Sequence, residues 1–89
     1  MVKKVVLVTG SSRGIGFAIS KEFAENQGST VIVCSRNIND AIRASQRIKG
    51  NTHAFQLDVT KEKDVRSVVK EVVADYGTID ILVNSAGYK

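Results

Sequence analysis

Eighty-nine residues suffice for one small domain or part of a larger one, and 43% are hydrophobic with only three Phe and two Tyr, so any core is aliphatic. The formal charge of +4 comes from thirteen Lys and Arg scattered among nine acids; this suits a phosphate-bearing ligand, whereas a nucleic-acid partner would want a denser basic cluster and is not expected. The single cysteine, Cys34, excludes an internal disulfide, and the apolar run Val5-Val6-Leu7-Val8 is too short for a secretory core or a membrane span, so a cytoplasmic chain without a membrane partner is expected.

Strand-like and helix-like segments alternate with little between them. The first strand is predicted over Lys4–Val8, the second over Thr30–Cys34, the third over His53–Leu57 and the fourth over Ile79–Val83. Most are short runs of aliphatic residues, as expected for strands covered on both faces. Between them, a helix over Ile15–Gln27 places Ile15, Ala18, Ile19 and Phe23 on one face. A second, over Ile38–Lys49, carries a weaker stripe of Ile38, Ala41, Ile42 and Ile48. The third, over Lys61–Tyr76, has the clearest helical period: Val65, Val68, Val69, Val72, Val73 and Tyr76. Asn37 and Thr60 stand where N-caps belong, and Gly28, Gly50 and Gly77 where C-caps do. The order β-α-β-α-β-α-β implies a doubly wound α/β fold, a partial Rossmann unit with helices on both faces of a parallel sheet. Residues 1–89 form one such unit, without linker or repeat.

The run Thr9-Gly10-Ser11-Ser12-Arg13-Gly14-Ile15-Gly16 joins the first strand to the first helix. A glycine-rich turn at that junction aims backbone N–H groups and the positive helix end at one point, which makes an anion site. Gly10 suits a tight exit from the strand, Gly14 a close approach of backbone to a pyrophosphate, and Gly16 close packing of helix on sheet. A turn that merely links strand to helix remains the alternative. A Walker-type loop is excluded, because no Lys-Ser or Lys-Thr follows the last glycine.

This run resembles the T-G-x-x-x-G-x-G signature of the short-chain dehydrogenase/reductase family, in particular its 3-oxoacyl-acyl-carrier-protein reductase-like members. Asp58-Val59 resembles the acidic pair that the family places beside the adenine, and Asn84-Ser85-Ala86-Gly87 its Asn-Asn-Ala-Gly motif, with Ser85 in place of the second Asn. The resemblance spans essentially the whole chain. It implies a four-strand sheet of order 3-2-1-4, a nicotinamide dinucleotide as cofactor, and hydride transfer with a small carbonyl or alcohol substrate. Cofactor contacts are then expected from Gly10, Ser11, Ser12, Arg13, Gly14, Ile15, Gly16, Ser35, Arg36, Asp58, Val59, Asn84, Ala86 and Gly87. Asp58 has the alternative role of capping the third helix.

The residues themselves bear on which dinucleotide is taken. NAD-selective folds carry an acid near the end of the second strand, where this chain reads Val33-Cys34-Ser35-Arg36-Asn37 with none before Asp40. Arg36 attracts a 2′-phosphate that a carboxylate would repel, and Arg13 is a second cation within the loop. NADP is therefore the expected cofactor, with Arg36 as an ordinary exposed arginine the alternative. The family's catalytic Ser and Tyr-x-x-x-Lys lie beyond the region of resemblance, and Tyr88-Lys89 are adjacent rather than four apart. No residue of this chain is assigned a catalytic or metal-binding role. The chain reads as the cofactor half of a longer, homo-oligomeric reductase and is expected to be inactive alone. A free-standing dinucleotide-binding or regulatory module is the rival reading.

Overall fold

The computed structural model describes residues 3–85. Four parallel strands, β1 (Val5–Thr9), β2 (Thr30–Ser35), β3 (Thr52–Gln56) and β4 (Ile81–Asn84), form one sheet in the order β3-β2-β1-β4. Three α-helices connect them: α1 (Gly14–Lys21), α2 (Ile38–Gln46) and α3 (Glu62–Tyr76). A single π-helical turn, Glu22–Asn26, continues α1. This is the doubly wound arrangement expected from the sequence. Among the described residues no helix is long and apolar enough to cross a membrane.

Every residue of β1 and β2 is buried, because both strands are central and both sheet faces are covered. Side chains alternate between two cores. Val5, Leu7, Ile32 and Cys34 meet Leu57 and the α3 residues Val68 and Val72 on one face. Val6, Val8, Val31 and Val33 meet Ala24, Ala44 and Ile48 on the other. Helices α1 and α2 therefore share a face opposite α3, and the winding reverses between the neighbouring strands β1 and β4. Asp80 secures the lower end of that pair: its carboxylate accepts the Val5 amide at 2.8 Å, and its own amide donates to the Val5 carbonyl at 2.9 Å.

Several local expectations are corrected. The buried face of α1 and its π turn is Gly16, Ser20 and Ala24, while Ile15 is 76% exposed and Ala18 is also exposed. Small residues win that face because the helix lies close to the sheet; Phe17, Ile19 and Phe23 flank the contact and are partly buried. Helix α2 stops at Gln46, three residues early, and Ile48 folds under it to 5% exposure. Its buried stripe is Ala41 and Ala44, with Ile42 at the surface. Gly50 consequently follows a turn rather than a helix end. Gly77 does cap α3 in the left-handed region, at φ 88°. Asn37 caps α2, its side chain accepting from the amides of Asn39 and Asp40. Thr60 does not cap α3: that helix starts at Glu62 after Lys61, and Thr60 binds Asp58 instead. His53, on edge strand β3, lies 5.0 Å from the Tyr76 ring of α3.

Cys34 is fully buried in the α3-side core. Burial pushes its thiol from 9.0 up to about 12, since desolvation disfavours the thiolate. The folded-state pKa is raised, so this contribution to stability is complete below pH 9.0 and is lost as pH rises toward about 12. In iodoacetamide labelling followed by mass spectrometry at about pH 8, Cys34 should stay unmodified in the native chain and react fully in guanidinium. Rapid labelling of the native chain would contradict the packing described.

Candidate cofactor site

The four strands run parallel and in register, so their carboxyl ends open on one edge of the sheet. Thr9 lies opposite Asn84, Val8 opposite Val33, and Ser35 opposite Gln56. The glycine loop, Ser35-Arg36, Asp58-Val59 and Asn84-Ser85 all leave that edge. Ala86 and Gly87, as well as Tyr88 and Lys89, lie outside the described residues.

The loop is shaped by two turns and one contact. Gly10 and Gly14 have φ of 59° and 65°, values at which any side chain on the backbone is strained. Apart from its chain neighbours and the backbone of α1 itself, no protein atom lies within 4 Å of where a Gly14 side chain would begin, so the backbone there is open to close approach. Gly16 is different. A Cβ on it would sit 2.5 Å from Ser85 Oγ, 3.0 Å from Ser11 Cα, and against the Gly10 carbonyl. The first turn of α1 thus packs directly on the loop that precedes it.

Arg13, the N-cap residue of α1, is extended at φ −163° and makes no side-chain cap hydrogen bond. The first amides of an α-helix have no intrahelical acceptor, and here no capping side chain supplies one. Gly14 and Ile15 are exposed at this end. An anion can therefore be received by backbone N–H groups and the helix dipole together.

Hydroxyl groups hold the loop in place on both sides. Ser11, which sequence reasoning put among the ligand contacts, is fully buried. Its Oγ donates to the Val8 carbonyl at 3.0 Å and accepts the Cys34 amide at 2.9 Å, while its own amide donates to the Cys34 carbonyl at 2.9 Å. Ser11 thereby extends β1 by one more rung against β2. On the other side, Thr9 Oγ1 donates to Asn84 Oδ1 at 3.0 Å and accepts the Ser85 amide at 3.1 Å. Ser85 Oγ in turn donates to the Thr9 carbonyl. The serine that departs from the family's Asn-Asn-Ala-Gly pattern thus ties the exit of β4 to that of β1. Sequence reasoning did not assign Thr9 this role; the only signal was its place at the head of the glycine run.

The far side of the edge is more exposed. Ser35 is buried, and its Oγ accepts the Asn37 amide at 3.4 Å. Arg36 is exposed, and its carbonyl accepts the Gln56 side-chain amide at 3.1 Å. Asp58 Oδ1 accepts both the hydroxyl and the amide of Thr60, at 2.6 and 3.0 Å. The Thr60 hydroxyl, then its amide, hold the Asp58 carboxyl below its usual range, and the charges of Lys61 and Arg36 add to this. Arg36 and Asp58 therefore belong to the same corner. Val59 is 38% exposed beside them. Ser12, half-buried, and Arg13 border a cavity between the loop and α2.

A parallel sheet with an uncapped helix behind a glycine loop, at the point where the winding reverses, is the doubly wound α/β arrangement whose ligand crevice lies outside the carboxyl ends of the strands. The profile of the short chain dehydrogenase family matches residues 4–89, and the chain belongs to that family. It is 42% identical over 85 residues to L-fucose dehydrogenase of Bos taurus, a match covering 96% of this chain and 31% of that protein. It is 37% identical to the short-chain dehydrogenase/reductase homolog YusS of Bacillus subtilis, with 97% and 82% covered. Among solved structures, a metagenomic short-chain oxidoreductase in complex with NADP superposes with a TM-score of 0.89 at 30% identity, covering 96% of this chain and 39% of that one. The chain thus spans about a third of the length of relatives such as the fucose dehydrogenase.

Replacing Ser11 by Ala removes little volume but leaves the buried Cys34 amide without its acceptor. Urea denaturation should show a loss of about 1–3 kcal/mol, the penalty for an unsatisfied buried donor. A change within about 0.5 kcal/mol, as at an ordinary surface position, would show that the hydroxyl is not what holds the loop.

Proposed function

We propose that this chain is the NADP(H)-binding part of a short-chain oxidoreductase acting on a carbonyl or alcohol. The observation that carries the cofactor choice is the charge at the carboxyl end of β2. Arg36 is exposed there, Arg13 projects from the loop, and no carboxylate stands before Asp40. Ribose-binding carboxylates at this point select NAD, whereas guanidinium groups pair with phosphate through several donors. The NADP-bound oxidoreductase of the same fold supports the reading.

The backbone amides of the loop and the start of α1 would receive the pyrophosphate, with Gly14 allowing the closest approach. Arg13 and Arg36 would hold the 2′-phosphate from two sides. Asp58 keeps its charge to low pH and would accept the adenine amino group, with the Val59 backbone alongside. The edge near Asn84 would take the nicotinamide end. When bound, NADPH supplies a hydride to the carbonyl carbon, or NADP takes one from the alcohol. The protein's contribution from residues 3–85 is to bind and orient. The proton-transferring Ser, Tyr and Lys of the family are proposed to come from residues outside this stretch, as is a homo-oligomeric interface.

A second reading is a dinucleotide-binding chain without catalysis; membership of the family bears equally on both. The two readings share the binding claim and differ in whether binding is accompanied by NADPH oxidation in the presence of carbonyl compounds.

Fluorescence titration of the full-length protein should show NADPH binding more tightly than NADH, and Arg36→Asp should reverse that order. Preference for NADH in the unmodified protein, or no response to Arg36→Asp, would overturn the assignment of NADP.

A further inference from the structure

A cavity of about 210 Å³ opens between the glycine loop and α2, lined by Ser12, Arg13, Asp40, Arg43, Ala44 and Arg47. Three guanidinium groups and one carboxylate give this opening a net positive charge of two. Only Arg13 of these three cations was marked by the motif around it. Arg43 on α2 and Arg47, the C-cap residue four positions on, reach the cavity because the helix turns its Ala41–Ala44 face to the sheet.

The two α2 arginines are held differently. The Arg47 guanidinium lies 4.7 Å over the Phe17 ring, a cation–π contact that keeps it at the α1 side of the opening. Arg43 sits one turn nearer the N-terminus of α2, and so nearer the end of β2 from which Arg36 emerges. Its Nη2 donates to Asp40 Oδ1 at 2.6 Å. Asp40 is itself placed by the helix cap, since its amide donates to Asn37 Oδ1. Asp40 thus orients the Arg43 guanidinium while engaging only part of its five-donor fork. The pair is largely exposed, with side chains at 68% and 46%, and such a pair contributes little to folding. Its charge is better placed for a ligand than for stability.

We propose that Arg43, positioned by Asp40, is a third specificity-determining cation for the adenosine 2′-phosphate, completing a set with Arg13 and Arg36. The proposal rests on the NADP reading and deepens it. Arg43 lines the same cavity as Arg13, so a 2′-phosphate held by Arg13 would lie within the field of the Arg43 guanidinium. NADH, which lacks that phosphate, gains nothing from it.

The test is titration of the full-length protein with NADPH and with NADH, comparing Arg43→Gln, Arg43→Lys and Arg47→Gln. Arg43→Gln should weaken NADPH on the order of threefold to tenfold and leave NADH unchanged, with a shallower dependence of NADPH affinity on salt. Arg43→Lys should recover part of the loss, because charge is restored without the fork. Arg47→Gln should leave the NADPH-to-NADH ratio unchanged. An unaltered ratio in Arg43→Gln, equal weakening of both nucleotides, or a ratio that moves only with Arg47→Gln overturns the proposal. These failures are distinct from failure of the NADP reading, which would show as an unmodified protein without preference for NADPH. If that preference exists and Arg36→Asp reverses it while Arg43→Gln does nothing, only the role of Arg43 is lost.

Discussion

As the chain leaves β1 it is held from both neighbouring strands by hydroxyl groups acting on backbone. Ser11 bridges the Val8 carbonyl and the Cys34 amide on the β2 side, and Thr9 engages Asn84 and Ser85 on the β4 side. Without these contacts the loop would be a flexible glycine link, and its amides would have to be ordered at a ligand's expense. With them, the turn is fixed before any ligand arrives. The close contact of Gly16 with the Gly10 carbonyl and Ser85 then sets where α1 begins. The direction of the helix dipole follows from that start.

The same arrangement links the parts of the site to one another. Ser11 joins the glycine loop to the strand that delivers Arg36, only two residues after Cys34. Ser85 joins it to the strand that delivers Asn84. The proposed pyrophosphate, adenosine and nicotinamide positions therefore share one edge, at the carboxyl ends of the four parallel strands. Charge is placed at the periphery of this edge, on Arg13, Arg36, Asp58 and Arg43, where water is close and pairing contributes little to folding. The residues proposed to select the cofactor are thus not the ones that hold the loop.

The element order was legible because three of the four strands are short, mainly aliphatic runs and the segments between them carry helical spacing, clearest in α3. Ends and faces were less so. The stripe of Ile15, Ala18, Ile19 and Phe23 reads as a core face, yet α1 rests on Gly16, Ser20 and Ala24. Hydrophobic bulk marks a face that avoids water, whereas close helix–sheet packing selects small residues, and periodicity alone does not separate the two. At the site, glycine spacing and the missing acid after β2 were readable because both are local. The hydroxyl contacts were not: Ser11 and Cys34 are 23 residues apart, and Thr9 and Asn84 are 75 apart. The cavity cations were hidden for a similar reason, since only the rotation of α2 brings Arg43 beside Arg13.

We propose that the amides from Ser12 to Gly16 form an anion cradle that is set before a ligand arrives. Backbone amide NMR of the full-length protein during titration with NADPH tests it most directly. The largest shifts should fall on Ser12, Gly14, Ile15 and Gly16, with smaller ones at Arg36 and Asp58, and Ser11 should remain slow to exchange with and without ligand. Saturable NADPH binding that leaves the Ser12–Gly16 amides unmoved and shifts another part of the chain would show that the loop is not the anion site.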